Sequence, residues 1–187
     1  MELVVKCCVK YSNMSRMVKK QLPVVDGMSF TTEGDNFIVS NSNGSIAINL
    51  NNRVAIDTTN GLAFKSLEDE DKGALATIYV LVRNAMDDLK NGYTANLKMI
   101  GVGFKASVSG KFLRTYVGLS HDVIFAIPEG LTVTVANDTE ITIKGHSRSK
   151  VMQFARAVRD IKKPEPYKGK GIFLNNEKIL RKEGKKK

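Results

Sequence analysis

The sequence has few of the residues that build metal sites and no long apolar segment. Its 187 residues include only two cysteines, Cys7 and Cys8, and two histidines, His121 and His146. Paired zinc ligands are usually two to four residues apart, and adjacent cysteines with scattered histidines do not follow that spacing. No apolar run approaches the ~20 residues of a membrane-spanning helix. We therefore predict two ordinary reduced thiols, no metal site, no cofactor and no membrane insertion.

Residues 1–13 contain a short apolar stretch without a full apolar centre or a small-residue cleavage site. A secretory signal needs both of these features. The segment is interpreted as an N-terminal extension.

One glycine-containing segment partly fits a dinucleotide-binding motif. Residues 100–106 read IGVGFKA, but the motif requires a helix to begin at the glycines and point its amide groups at a pyrophosphate. Residues 107–113 instead alternate and turn like a hairpin. The glycines therefore indicate a bulged or tightly packed strand, or close approach of an external phosphate backbone with Lys105 as the contact.

Two further patterns resemble catalytic sites without meeting their geometry. Ser120, His121 and Asp122 are the residue types of a hydrolase triad, but neighbours on a strand point to opposite faces and cannot form the relay. His121 is interpreted as a turn or surface residue, with RNA contact as the alternative. The sequence also lacks a phosphate-binding loop of the Gly-x-x-x-x-Gly-Lys-Ser/Thr type. We predict no catalytic residues and no enzyme.

Positive charge is concentrated at one end of the chain. Residues 144–187 carry fifteen Lys and Arg against four Asp and Glu, a net charge of +11, whereas the whole chain carries +10. Such one-sided charge destabilises a fold by self-repulsion and is typical of surfaces that bind a polyanion. Nucleic acid is the first candidate.

Two segments have the apolar spacing of amphipathic helices. The first is predicted to start at a Ser66 cap, pass through four acids at residues 68–71 and end at Asn91. The second is predicted from about Ser149 to Lys163, where Pro164 ends it. Elsewhere apolar residues alternate with period two, which indicates strands.

The order of strands and helices repeats within the chain. Val54 and Ile56, a turn, Leu62 and Phe64 and then a helix are matched by Leu131 and Val133, a turn, Ile141 and Ile143 and a second helix, at offsets of 77 and then 79 positions. This pattern predicts an α+β protein of two duplicated domains, each a small, mostly antiparallel sheet packed on one helix. The predicted domains are 14–91 and 92–187, the second being the RNA-binding one with a basic C-terminal tail.

The segment that follows the second helix has the composition of a phosphate-binding loop. Residues 164–172 read PEPYKGKGI. Two prolines keep the chain extended, Tyr167 can pack or stack, and glycines beside Lys168 and Lys170 remove bulk that would keep the main chain away from phosphates. The alternative is a solvated basic loop.

This same segment resembles the signature of the L6 family of large-subunit ribosomal proteins, in its bacterial and organellar form. The similarity continues through IGVGFKA at 100–106, GLSH at 118–121, IPEG at 127–130 and RKEGK at 181–185, and it reaches Met14, Ser15, Arg16, Lys19 and Lys20. It covers residues 14–187.

The resemblance implies two duplicated α+β domains and a structural role without catalysis. It implies binding of large-subunit rRNA near the sarcin-ricin loop, beside the docking site of translational GTPase factors and among neighbouring large-subunit proteins. RNA contacts carried over by position are Lys105, Lys168, Lys170, Arg181 and Lys182. Charge placement alone adds Arg156, Arg159 and Lys163.

The chain also departs from the family pattern. Met17 and Val18 replace a usual glycine, and Leu119 and Asp122 replace an aromatic residue and a proline beside Ser-His. These departures favour a mitochondrial ribosome, with a bacterial one as the alternative. The alternative functions are a basic nucleic-acid-binding module outside the ribosome, a membrane-surface or extracellular module, and a small-molecule enzyme.

Overall fold

The computed structural model describes residues 22–23, 27–42, 44–50, 53–57, 62–66 and 72–184. The chain divides into two compact units, Met1–Asp87 and Asp88–Lys187, called here the first and second units. The division falls in the last turn of the helix that joins them, four residues before the boundary expected from the sequence.

The described residues of the first unit form five strands and most of one long helix. These elements are β1 (Met28–Glu33), β2 (Asn36–Asn41), β3 (Gly44–Asn49), β4 (Val54–Asp57), β5 (Ala63–Ser66) and α1 (Lys72–Asn91). β1, β2 and β3 form an antiparallel sheet, and β4 pairs antiparallel with β5. Buried Phe64 and Tyr79 meet edge to face at 5.3 Å between ring centroids, so β5 and α1 share this core.

The second unit, described over residues 88–184, forms seven strands and a second helix. These elements are β6 (Tyr93–Ile100), β7 (Lys105–Ser109), β8 (Phe112–Tyr116), β9 (Val123–Ala126), β10 (Leu131–Ala136), β11 (Glu140–Gly145), α2 (Arg148–Asp160) and β12 (Gly171–Leu174). One antiparallel sheet has the strand order β10-β11-β6-β12, and another has the order β7-β8-β9.

The core of the second unit lies between α2 and the four-stranded sheet. Alternate residues of β6, namely Ala95, Leu97 and Met99, are buried, while their neighbours are exposed. α2 buries Val151, Phe154, Ala155 and Val158, which follow helical spacing. Phe125 also meets Phe154 edge to face at 6.1 Å, so the three-stranded sheet contributes to this core.

The N-terminus of α2 is capped from a distant part of the chain. Its own N-cap residue, Ser147, makes no side-chain cap hydrogen bond. Instead, Asp88 Oδ2 accepts a hydrogen bond from the Arg148 backbone amide at 3.1 Å, and Asp88 Oδ1 accepts one from Arg148 Nη2 at 3.0 Å. The Arg148 guanidinium also lies 4.9 Å from the centre of the Tyr93 ring. Asp88 therefore fixes the start of α2 by a buried, charged contact.

The predicted duplication is confirmed and extends further than the sequence pattern indicated. The unit β4-β5-α1 recurs as β10-β11-α2, and the three-stranded sheet β1-β2-β3 recurs as β7-β8-β9. Met28 and Lys105, which open the two three-stranded sheets, are 77 positions apart, the same offset as Val54 and Leu131. The α+β class is also confirmed.

The predicted helix ends need correction. Ser66, the predicted start of the first helix, is the last residue of β5, and α1 is described from Lys72; residues 67–71 between them lie outside the described residues. α2 ends at Asp160, three residues before the predicted end. Its last turn tightens as the amides of Ile161 and Lys162 bond to carbonyls three residues back, ahead of Pro164.

Candidate nucleic-acid interface

The loop of residues 164–172 is held in place by its own backbone. The Glu165 amide donates to the Lys170 carbonyl at 2.8 Å, and the Gly169 amide donates to the Glu165 carbonyl at 3.1 Å. The Ile172 amide donates to the Lys162 carbonyl at 2.9 Å, which anchors the loop at the start of β12. Tyr167 is 57% exposed, and Lys168 and Lys170 are exposed. The lysines are therefore carried outward on an ordered backbone.

The glycines of this loop serve contacts within the chain. Gly171 has φ +144°, and a Cβ atom there would lie 2.7 Å from Pro164 Cα and 2.8 Å from the Lys163 carbonyl oxygen. A Cβ atom at Gly169 would lie 3.2 Å from Arg181 Nη2. The sequence interpretation gave these glycines the role of admitting an external phosphate. In the structure, the space is filled by the protein itself.

Arg181 and Lys182 join this loop although they are distant from it in sequence. The Lys182 amide donates to the Pro166 carbonyl at 3.0 Å, and the Arg181 guanidinium lies over Gly169. We call the exposed cations of this region the C-terminal basic surface: Lys163, Lys168, Lys170, Arg181 and Lys182. Among the described ion pairs, Lys163 alone of the five takes part, with Asp160 at 3.8 Å. Within the part of the chain that the structure describes, four of the five cations have no carboxylate partner and can meet an external anion.

The two α2 arginines differ in their surroundings. Arg156 is exposed. Arg159 Nε donates to Glu177 Oε2 at 2.9 Å, Arg159 Nη2 donates to Glu177 Oε1 at 2.5 Å, and a weaker contact reaches Asp160 at 3.4 Å. This hydrogen-bonded pairing lowers the pKa of the Glu177 carboxyl and raises the pKa of Arg159. Arg159 therefore attaches the segment after β12 to α2, a role that charge placement did not reveal.

Lys105 lies on a different sheet from the C-terminal basic surface. It is the first residue of β7 and is exposed. The glycines before it form a turn: Gly103 has φ +76°, and a Cβ atom at Gly101 would lie 2.7 Å from the ring of buried Phe104. Because a strand and not a helix follows, the segment cannot present helical amides to a pyrophosphate. The hairpin reading of residues 107–113 is confirmed.

The Ser-His-Asp sequence lies at the surface, and several other segments noted in the sequence lie outside the described residues. Ser120 Oγ lies 3.4 Å from His121 Nδ1 in an exposed bend before β9. In the parts of the chain that the structure describes, no group of His, Cys, Asp or Glu could hold a metal ion. Residues 1–13 with Cys7 and Cys8, the basic positions Arg16, Lys19 and Lys20, and residues 185–187 lie outside the described residues.

Two features of the second unit were missed in the sequence. Glu177 was not recognised as the partner of Arg159, because no local signal joins residues 18 apart across a loop and a strand. The exposed rings of Phe112 and Tyr116 on β8 were also missed, although their alternation with Arg114 was visible in the sequence.

Comparison with known proteins gives consistent matches. A family model described as ribosomal protein L6 matches residues 100–173. Similar curated proteins, each named large ribosomal subunit protein uL6, come from Rhodospirillum centenum (38% identical), Sinorhizobium medicae (36%) and Rhodopseudomonas palustris (39%). Each match covers 177 residues, which is 93% of this chain and 100% of the relative.

None of the helices within the described residues has the length and apolar character to cross a membrane.

Proposed function

The chain belongs to the ribosomal protein L6 family, and we propose that it is a structural constituent of the large ribosomal subunit that binds large-subunit rRNA through its second unit. Family membership rests on the relatives that align with 93% of the chain. They are named as ribosomal constituents, which confirms the prediction that the protein is not an enzyme.

The C-terminal basic surface is the observation that supports rRNA binding most directly. Its backbone is fixed by hydrogen bonds from Gly169, Ile172 and Lys182, so little backbone conformational entropy is lost when its side chains meet a phosphate. Lysine and arginine donate charge-assisted hydrogen bonds to phosphate oxygens without reading base sequence. Binding through this surface is therefore directed at the shape of the RNA backbone.

The proposed RNA contacts are ranked by the exposure of each cation and by whether it already has an acidic partner within the chain. Lys168, Lys170, Arg181 and Lys182 come first, followed by Lys163 and exposed Arg156. Lys105 belongs to a separate contact on the three-stranded sheet. Arg159 acts mainly by positioning, because its guanidinium is already bonded to Glu177.

The finer assignment follows the family resemblance of residues 164–172. We propose that this surface lies near the sarcin-ricin loop, among neighbouring large-subunit proteins and beside the docking site of translational GTPase factors. The relatives named above come from bacteria. They support a bacterial ribosome in the cytoplasm and give no support to the mitochondrial preference drawn from the sequence.

Charge reversal in the loop tests this proposal. The double variant Lys168→Glu with Lys170→Glu should lose rRNA affinity on the order of 100-fold, since two charge-assisted contacts become repulsive. Its thermal stability should be unchanged, because exposed lysines contribute little to folding. The measurements are titration with an rRNA fragment, co-sedimentation with large subunits and thermal unfolding. The matched control reverses exposed Arg83 and Lys90 on α1.

Two results would contradict the proposal. Normal entry of the double variant into large subunits would make the loop a solvated basic turn and move the contact to exposed Arg156 and Lys163. Wild-type protein found only in ribosome-free fractions would favour a nucleic-acid-binding module outside the ribosome.

A further inference from the structure

The outer face of β8 carries three planar side chains in a row. Phe112, Arg114 and Tyr116 point away from the core, whereas Leu113 and Thr115 between them are buried. Phe112 is 51% exposed and Tyr116 is 47% exposed. Alternate residues of a strand are about 7 Å apart, so the three groups form a line of roughly 14 Å. We call these three residues the planar row.

The residues around the planar row leave it open. On β7, Lys105 lies opposite Tyr116, and the small residues Ser107 and Ser109 lie opposite Arg114 and Phe112. Within the described residues, neither ring packs on another ring, and neither Arg114 nor Lys105 takes part in an ion pair.

The fold does not explain this exposure. Several other aromatic side chains are used in packing, as in the contacts Phe64–Tyr79 and Phe125–Phe154. Half-exposed rings on a sheet lose part of the free energy that burial would supply. Exposed aromatic and arginine side chains together are typical of binding surfaces.

The charge around the planar row is nearly balanced. Lys105, Arg114 and Tyr116 line a depression of about 230 Å³ together with two carboxylates, Asp122 and Asp138. Phosphate neutralisation therefore supplies little affinity here, in contrast to the C-terminal basic surface. What remains is stacking, because phenyl, guanidinium and phenol groups all present flat faces.

We propose that the planar row is a second RNA contact, which holds unpaired nucleotides by stacking their bases on Phe112, Arg114 and Tyr116. Exposed aromatic side chains on an antiparallel sheet bind single-stranded RNA in this manner, and arginine planes stack on bases as well. A protein partner fits less well, because Arg114 and the serines of β7 interrupt the exposed apolar side chains of this face, Phe112, Tyr116 and Ile124, and an interface core requires a continuous apolar surface. The inference deepens the proposed rRNA binding and rests on it for the source of the RNA.

The experiment compares full-length variants against two RNA probes. The probes are a fluorescein-labelled octa-adenylate and an eight-base-pair RNA duplex, measured by anisotropy at about 300 mM salt, where phosphate contacts are weakened. The test variant is Phe112→Leu with Tyr116→Leu, which keeps apolar volume and removes both rings. Tyr116→Phe keeps the ring, and Ile124→Leu is the matched control, since Ile124 is 52% exposed and lies opposite Arg114 on β9. Circular dichroism and thermal unfolding verify the fold of each.

The expected result is selective loss of single-strand binding. The double leucine variant should bind octa-adenylate about tenfold more weakly for each ring removed. Duplex binding should stay within about twofold, because bases inside a duplex are stacked on both faces and only its two terminal pairs expose one. Tyr116→Phe and Ile124→Leu should match the wild type. In the same assay at about 100 mM salt, where phosphate contacts persist, the Lys168→Glu with Lys170→Glu variant should weaken binding of both probes. This separates a failure of this inference from a failure of the proposed function.

Two results would overturn the inference. One is unchanged octa-adenylate affinity in the folded double leucine variant, or an equal loss for single strand and duplex. The other comes from ultraviolet crosslinking of purified large subunits: adducts that join Phe112 or Tyr116 to a protein and not to nucleotides would make this face a protein contact.

Discussion

The ion pair between Arg159 and Glu177 is expected to hold the C-terminal segment on α2 with a measurable coupling energy. The guanidinium makes two hydrogen bonds to the carboxylate, at 2.9 and 2.5 Å. A charge-assisted hydrogen bond contributes about 1.5–3 kcal/mol when well buried. The two side chains remain 25% and 30% exposed, so solvent screening reduces the pair to a coupling free energy of about 1 kcal/mol.

A double-mutant cycle measures this coupling directly. The proteins are wild type, Arg159→Met, Glu177→Gln and the double variant, each unfolded with urea at neutral pH. The control is Glu183→Gln, which makes the same charge change at an exposed position. A coupling energy within about 0.3 kcal/mol of zero would refute the reasoning and show that the segment is held without this pair.

The pH dependence gives an independent check with a defined sign. Because the folded-state pKa of Glu177 is lowered, mainly by its hydrogen bond to Arg159, its contribution is fully present above the unfolded pKa of about 4.3. The contribution is lost as the pH falls through the folded pKa. The stability difference between wild type and Glu177→Gln should therefore be constant near neutral pH and shrink below about pH 4. If the stability difference between wild type and Glu177→Gln stayed the same at low pH, it would arise from packing and not from the charge of Glu177.

Three further predictions concern the capping of α2, the basic loop and salt. Asp88→Ala should lower the free energy of unfolding by about 2 kcal/mol, because the first backbone amide of α2 loses its charged acceptor, while Asp87→Ala on the exposed side of α1 should change it little. Gly171→Ala should lower it by about 2–4 kcal/mol, because a Cβ atom would overlap the backbone at φ +144°, while Gly184→Ala, where the space is open, should be neutral. Urea unfolding measures both pairs. Affinity of the full chain for an rRNA fragment should fall by orders of magnitude between ~50 and ~200 mM salt, as titration would show; a flat dependence would argue against phosphate-directed binding.

Much of the fold was predictable because it depends on local patterns. Apolar residues alternate with period two in β10 and β11 and follow helical spacing in α2. Each pattern reflects one buried face, and it can be recognised from a short stretch of sequence. The duplication was visible for the same reason. Helix ends were less predictable, because Ser66 has the chemistry of a cap but is used as the end of a strand.

The sequence predicted which residues make up the candidate site, but not how the folded chain brings them together. The sequence alone determined that residues 144–187 carry the positive charge and that residues 164–172 have the family signature, since charge and residue identity need no coordinates. Only the tertiary structure decided that Arg181 and Lys182 lie beside Lys168. The Lys182 amide donates a hydrogen bond to the Pro166 carbonyl, sixteen positions earlier in the chain. The tertiary structure also decided that Gly171 accommodates the protein's own backbone and that Arg159 is bonded to Glu177. Such contacts depend on which distant segments the folded chain brings together, and no local pattern in the sequence specifies that.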